Sequence, residues 1–334
     1  MSCAIWRKMC IRDRYFLPLD ALLDSDGNAN PALKAANDNM VGTGEYFAKI
    51  LTSDNKDQRV LAALLEIADE RDDTLRRLDS SAERLPNPVR NWYSTVGTGG
   101  LRDMLAVGAR SINRTYQERV ISTYNKNLRS YFPFNVHASQ DVNLEDFAEF
   151  FKAGGVLDNF YDANLKHFVT KSGTLRSIMG RTLPISGQAV GQLQRANRVQ
   201  EAFFMSGREL GINFLMEPYA MDASLKQVGL QYAGKNLSYW HGPVQGVGFS
   251  WPTGGQGVLE FTDLSGINGR TEARGDWSLF RLFQGGSIKR QEGSTCLIEV
   301  QKNGKWAQFL IQFRNKVNPF DPTVCSFSLP DSLL

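Results

Sequence analysis

The sequence predicts an α+β protein: an all-helical part over residues 16–206, then an antiparallel β-sandwich-like part over residues 207–334 that carries one short covering helix. Three observations predict it. Upstream of about residue 206, apolar residues recur at three- and four-residue spacings among charges, the period of an amphipathic helix. Downstream the apolar period falls to two, the mark of strands with one face buried. Glycine density changes at the same place, since more than half of the thirty glycines lie beyond residue 207.

Taken in order, residues 1–15 are dense in charge, include Cys3 and Cys10, lack both periods, and read as a leader that is disordered or foreign to the fold. DSDGN from Asp24 holds the first positions of a calcium loop without the later ligands or the closing glutamate, so it reads as a turn. DQRVLAALLEIADERDDTLRRLDS, residues 57–80, places Val60, Leu61, Leu64, Ile67, Leu75 and Leu78 on one helical face. Pro86 and Pro88 then stop that helix. A second long helix begins near Gly100, with Met104, Ile112, Tyr116, Val120, Tyr124 and Leu128 along one side, and Pro133 forbids its continuation. GTGEYF at Gly42 and GTGGLRD at Gly97 are glycine-rich but follow no expected strand, so they read as turns and not as dinucleotide loops.

Two shorter helices, residues 143–152 and 156–169, flank Gly154 and Gly155, which can turn the chain sharply. Phe147, Phe150, Phe151, Phe160, Tyr161 and Phe168 are expected to pack these helices across the turn as the centre of the helical part. The competing reading is an exposed aromatic groove for a partner helix. A last helix runs over residues 186–204. Beyond it, alternation at Ile212–Met216, Val228–Tyr232, Cys296–Val300 and Ala307–Phe313 marks strands, with AGKN, TGGQG, GING and KNGK as connections. GDWSLFRLFQGG, Gly275 to Gly286, is the covering helix, with Trp277, Leu279, Phe280 and Leu282 turned to a sheet.

Composition and motif searches narrow the chemistry. With 38 basic and 35 acidic residues the net charge is only +3, and no dense basic stripe exists to track a phosphate backbone, so nucleic acid is not an expected partner. No run of about eighteen apolar residues and no signal-peptide pattern occurs. The four cysteines form no CxxC, and His137, His167 and His241 sit in unrelated contexts, so no metal site is expected. There is no P-loop, no G-x-S-x-G elbow and no H-E-x-x-H, hence no catalytic residue and no cofactor site. The enzymatic alternative is a carbohydrate-binding or glycoside-cleaving protein that uses the aromatic-rich β part, with Glu260, Asp263 and Glu272 as the carboxylates. Against it, Trp240, Trp251 and Trp277 also suit the core or rim of a sandwich.

The ordered series RLPNPVRNW, YFPF, DVNLEDFAEFFKAGGVLDNFYDANLKHFV, LQRANRVQEAFF, FLMEPYAMD, LSYWHGPVQGVGFSWP, GDWSLFRLF and NPF resembles the C-terminal periplasmic region of the IcmF/TssM family, over about residues 16–330. Those proteins are large inner-membrane components of bacterial type VI secretion systems, with relatives in type IVB systems. The resemblance implies a structural, non-enzymatic role in a membrane complex. It implies contact with an outer-membrane lipoprotein of TssJ type, contact with a TssL/DotU-like inner-membrane component through an upstream part, and self-association. It also implies that the membrane anchor and the nucleotide-binding-like domain lie outside this sequence. The family's Trp-Pro-Gly is here Trp251-Pro252-Thr253-Gly254. Because loops on a rigid sheet carry binding residues, Trp240, His241 and Trp251 are the candidate partner contacts. A periplasmic setting is oxidising, which makes a Cys296–Cys325 disulfide between expected strands an option.

Overall fold

A computed structural model of the chain describes residues 17–325 and 327–334; the expectation for residues 1–15 falls outside them. The helical part comprises α1 (Leu17–Asp20), α2 (Pro31–Leu51), α3 (Lys56–Ala68), α4 (Thr74–Ala82), α5 (Val89–Thr115), a π-helical turn (Tyr116–Ile121), α6 (Ser122–Asn127), α7 (Leu144–Phe151), α8 (Val156–Asn164) and α9 (Gly187–Phe203). Side-chain caps set several starts. The Asn30 Oδ1 accepts from the Leu33 N–H at 2.8 Å, Asn143 Oδ1 from Glu145 N at 2.7 Å, and Ser186 Oγ from Ala189 N at 3.2 Å, each satisfying a donor that the first turn leaves open.

Four local expectations are corrected. GTGEYF lies inside α2 and GTGGLRD inside α5, so neither is a turn. In α5 packing overrides glycine's turn preference: a Cβ at Gly100 would overlap the Phe47 ring, and one at Gly108 would overlap Leu64, so these glycines let helices approach closely, while Gly42 and Gly44 of α2 face open space. The expected single helix over residues 57–80 is two, α3 and α4, with Glu70 at φ +59° between them. The Asp72 carboxylate accepts from Thr74 N at 2.9 Å, the local capping by which Asp competes with helix continuation. The helix expected to reach Val169 stops at Asn164, where Lys166 N bonds to Tyr161 O at 3.0 Å and the Tyr161 hydroxyl donates to Val169 O at 2.9 Å. DSDGN is a turn, closed by bonds from Asp26 N and Asn28 N to the Asp24 carboxylate.

Of the six aromatic residues expected to pack there, Phe147, Phe150, Phe151, Phe160 and, beyond the end of α8, Phe168 are buried, while Tyr161 is half-buried. Their rings do not simply face one another across the turn. Phe160 meets Tyr116 at 5.6 Å, while Phe151 meets Phe134 and Phe327 at 5.8 and 5.2 Å, and Phe147 meets Trp277 at 5.2 Å. Gly154 adopts φ +77°, and a Cβ on Gly155 would overlap the Glu149 carbonyl oxygen. Gly155→Ala is therefore expected to destabilise the protein by about 1–3 kcal/mol, measured as a shift of the urea midpoint at unchanged slope.

After the short hairpin β1 (Phe204–Met205) and β2 (Glu209–Leu210) come nine strands in two antiparallel sheets. The strands are β3 (Ile212–Met221), β4 (Leu225–Tyr232), β5 (Lys235–Tyr239), β6 (Val247–Trp251), β7 (Gly257–Asp263), β8 (Gly266–Ala273), β9 (Ser287–Glu292), β10 (Thr295–Lys302) and β11 (Lys305–Phe313). One sheet has the order β6-β3-β11-β10-β9 and the other β5-β4-β7-β8. Inward residues meet between them, as where Tyr232 of β4 lies 6.0 Å from Phe249 of β6. The covering helix α10 (Ser278–Leu282) follows β8, and α11 (Pro322–Cys325) follows β11. Cys325 is thus on a helix and not a strand; Cys296 on β10 is a free, buried thiol whose pKa burial pushes up to about 12.

One apolar core continues from Ile50 to Leu333 through both parts, and a smaller separate cluster packs Leu22, Ala36, Leu85 and Val89. At their seam, Trp277 is fully buried and its indole N–H donates to Val142 O at 2.8 Å. Arg281 of α10 lies over the Phe132 ring at 4.2 Å and donates from Nε to Asp141 at 2.8 Å. The C-terminal segment then returns to the helices: the Tyr116 hydroxyl donates to Pro330 O at 2.8 Å, Leu333 N to Asn113 Oδ1 at 2.7 Å, and Ser186 N to Leu333 O at 2.8 Å.

Candidate interaction surface

Strand β3 starts at the seam, where Ile212 pairs with Trp251, and ends where Met221 pairs with Ala307 beside the β10–β11 hairpin. Ten residues of strand span roughly 30 Å, so the far end of the sandwich stands well clear of the helices. The pairings Leu225↔Asp263 and Val228↔Tyr239 bring the β3–β4 turn, the chain after β5 and the β7–β8 hairpin to this same end.

Side chains tie these connections together. The Asn303 amide donates to Asn268 O, and the Lys305 ammonium donates to the Ser224 hydroxyl. Asp222 accepts from Ser224 N at 2.9 Å, and Asp263 from Ser265 N at 2.7 Å and from the Asn268 amide at 3.0 Å. The Ser224 hydroxyl and amide hold the Asp222 carboxyl below its ordinary range; the Ser265 amide and Asn268 do the same for Asp263, with Lys305 adding its charge to both. Ionised caps of this kind fix the turns, and fixed turns hold the side chains at their tips outward.

What they hold outward is apolar. Leu264 is 92% exposed, Ile267 60%, Trp240 57%, Tyr219 51% and Val244 49%. Large apolar side chains gathered at one end of a sandwich mark an interaction site more than isolated ones do. Of the residues singled out in the sequence, Trp240 and His241 belong to this rim. His241 is exposed at φ +55°, and its Nε2–H donates to Leu225 O at 2.8 Å. Trp251 does not belong to it: only 1% exposed, it sits at the opposite end, donating to Asp276 O and packing tilted against Trp277 at 4.9 Å and edge-on against Phe203 at 5.5 Å. The rim residues that sequence reasoning missed are Leu264, Ile267, Tyr219 and Val244. For the first two, the apolar letters inside the loop string LSGING were the available signal.

The carboxylates of the enzymatic alternative are otherwise engaged. Arg270 on β8 reaches Glu272 from Nε at 2.9 Å and Glu260 from Nη1 at 3.2 Å, while Asp263 caps its hairpin.

The chain is thus a helical bundle packed through an aromatic seam onto a two-sheet sandwich, with exposed apolar side chains at the end of the sandwich away from the seam. Residues 107–209 match the Type VI secretion protein IcmF helical domain, and residues 214–315 match the Type VI secretion protein IcmF C2-like domain. The chain belongs to the IcmF/TssM family, to its C-terminal region. Type VI secretion system component TssM1 of Pseudomonas aeruginosa is 32% identical over 268 residues, 77% of this chain. The matched stretch is 24% of that relative, so the chain spans about a quarter of its length. Among solved structures, a type VI membrane complex aligns with TM-score 0.76 at 18% identity, over 95% of this chain and 70% of that one. A type VI secretion system membrane core complex aligns with TM-score 0.74 at 18% identity, over 96% and 70%. The TssM C-terminal domain from EAEC aligns with TM-score 0.59 at 20% identity, over 67% and 98%. At these identities the structures speak for the fold alone. Among the described residues, no helix is long and apolar enough to cross a membrane.

Proposed function

We propose that this chain is a structural, non-enzymatic component of a type VI secretion membrane complex, and that it stands in the periplasm. Its sandwich rim docks an outer-membrane lipoprotein of TssJ type, while residues 16–206 act as spacer and support for residues 207–334. An upstream part of the protein reaches the inner membrane and a TssL/DotU-like component, and copies of the chain associate within the complex. The observation that carries the docking is that Trp240 just after β5, Leu264 on the turn capped by Asp263, and Ile267 at the start of β8 lie at one end of the sandwich, each more than half exposed. Family membership and the relatives' names support the complex to which it belongs. The engagement of Glu260 and Glu272 by Arg270 supports the non-enzymatic reading.

A titration of the whole chain with the cognate lipoprotein tests the docking. Anchor residues at interface centres typically contribute 2 kcal/mol or more, and each 1.4 kcal/mol is tenfold in Kd. Trp240→Ala and Leu264→Asp are each expected to weaken binding by about tenfold or more, and because both side chains are exposed, Tm should hold. Unchanged affinity in both variants would refute the rim as the docking site.

A further inference from the structure

A second site lies at the seam. A cavity of about 250 Å³ opens between the helical part and the sandwich, its walls including Phe132, Phe134, Phe147, Phe280, Phe283 and Phe320. These rings come from the segment before α7, from α7, from α10 and the turn after it, and from the chain beyond β11. They brace one another: Phe280 meets Phe320 at 5.2 Å, Phe283 meets Phe320 at 5.8 Å, and Phe134 stacks on Phe147 at 6.1 Å. Phe132 is clamped beneath the Arg281 guanidinium, which is itself bonded to Asp141. The walls therefore cannot relax inward without breaking contacts elsewhere, so the space persists as a ring-lined cleft that is partly open to solvent and can receive a guest from it.

Water is a poor one. Water entering the partly open cleft finds few partners on its walls, since the side-chain lining offers a single polar group, Gln284, whose Nε2 is already committed to Val136 O at 2.6 Å, so an apolar guest displaces it at little cost. The mouth is formed where that bond joins the loop at Val136, 50% exposed, to the turn at Gln284 and Gly285. A void of about 150 Å³ lined by apolar side chains accepts benzene, so this larger one has room for a two-ring molecule. Ring walls favour a ring guest, because offset and edge-to-face pairs gain beyond simple burial.

We propose that the seam cavity is a binding site for a compact aromatic small molecule of about indole size. Bound there, the ligand touches both the helical part and the sandwich and strengthens their packing. It would thereby link occupancy to the rigidity of the support beneath the rim.

The test uses the whole chain with indole as probe, read by saturation-transfer NMR and thermal unfolding, beside 1-octanol as a chain-shaped probe of similar size. Saturable one-to-one binding of indole is expected, tighter than that of octanol, with Tm rising by several degrees at saturation. Ile288→Phe, on the edge strand lining the cavity, fills the space, and Val136→Trp covers the mouth from an exposed position that leaves the core untouched. Each is expected to weaken indole binding by about tenfold or more. Should Ile288→Phe fail to fold, Val136→Trp decides. Absence of saturable indole binding, equal binding in the folded variants, or tighter binding of octanol overturns the proposal.

Discussion

Removal of residues 327–334 is expected to lower stability by about 5–9 kcal/mol, counting about 1.5–3 kcal/mol for each of three buried side chains returned to water. Those side chains are Phe327, Leu329 and Leu333, at 3%, 1% and 1% exposure. Phe327 is wedged among rings, 5.2 Å from Phe151 and 5.9 Å from both Tyr124 and Phe134. The same deletion strips acceptors from two donors, since the hydroxyl of buried Tyr116 loses Pro330 O and the amide of half-buried Ser186 loses Leu333 O. A domain commonly holds only about 5–15 kcal/mol of net stability, so the truncated chain should show a broadened or lost thermal transition and bind a hydrophobic dye. Leu329→Ala and Leu333→Ala, at about 2–5 kcal/mol each, separate the burial effect from the loss of chain. A truncated protein with an unshifted, cooperative transition would show that the segment only rests on the helices.

The contrast between what was legible and what was not follows range and context. Helices α3, α7 and α9 and strands β3, β4 and β11 announced themselves because each has a drier and a wetter face, and that period is written in neighbouring residues, whereas β10 is buried on both faces from Cys296 to Val300. The glycines of α5 misled because a glycine's local preference for turns says nothing of the helix that will pack on it. Phe47 and Leu64 occupy the space that Gly100 and Gly108 leave, and both lie more than forty residues away in the chain. Burial of the tryptophans was equally hidden. Trp240 and Trp251 both adjoin glycine-rich loops, yet the first follows β5 at the rim and the second ends β6 at the seam, and only strand pairing separates those ends. The rim's most exposed residue, Leu264, belongs to no periodic pattern, which is why apolar letters alone did not single it out.

Trp277 is the residue on which the seam depends most, and Trp277→Ala is expected to cost about 3–5 kcal/mol for the vacated volume. A further cost of about 1–3 kcal/mol falls on the carbonyl of Val142, which the lost indole N–H leaves without this bond in a dry setting. The ring is fully buried and stands 4.9 Å from Trp251, 5.2 Å from Phe147, 5.5 Å from Phe280 and 5.9 Å from Phe203, so it joins the sandwich, α7, α10 and α9 at one point. Trp277→Phe removes the hydrogen bond with a much smaller loss of ring volume; its loss should be smaller than that of Trp277→Ala, dominated by about 1–3 kcal/mol for the unpaired carbonyl. Urea unfolding of the two variants measures both costs, and the difference between them isolates the packing. If Trp277→Ala lost less than about 1 kcal/mol, well below a buried-aromatic truncation, the two parts would be held together by something other than this aromatic junction. Because the rim lies at the other end of β3, the folded fraction of either variant should still bind the lipoprotein with unchanged affinity.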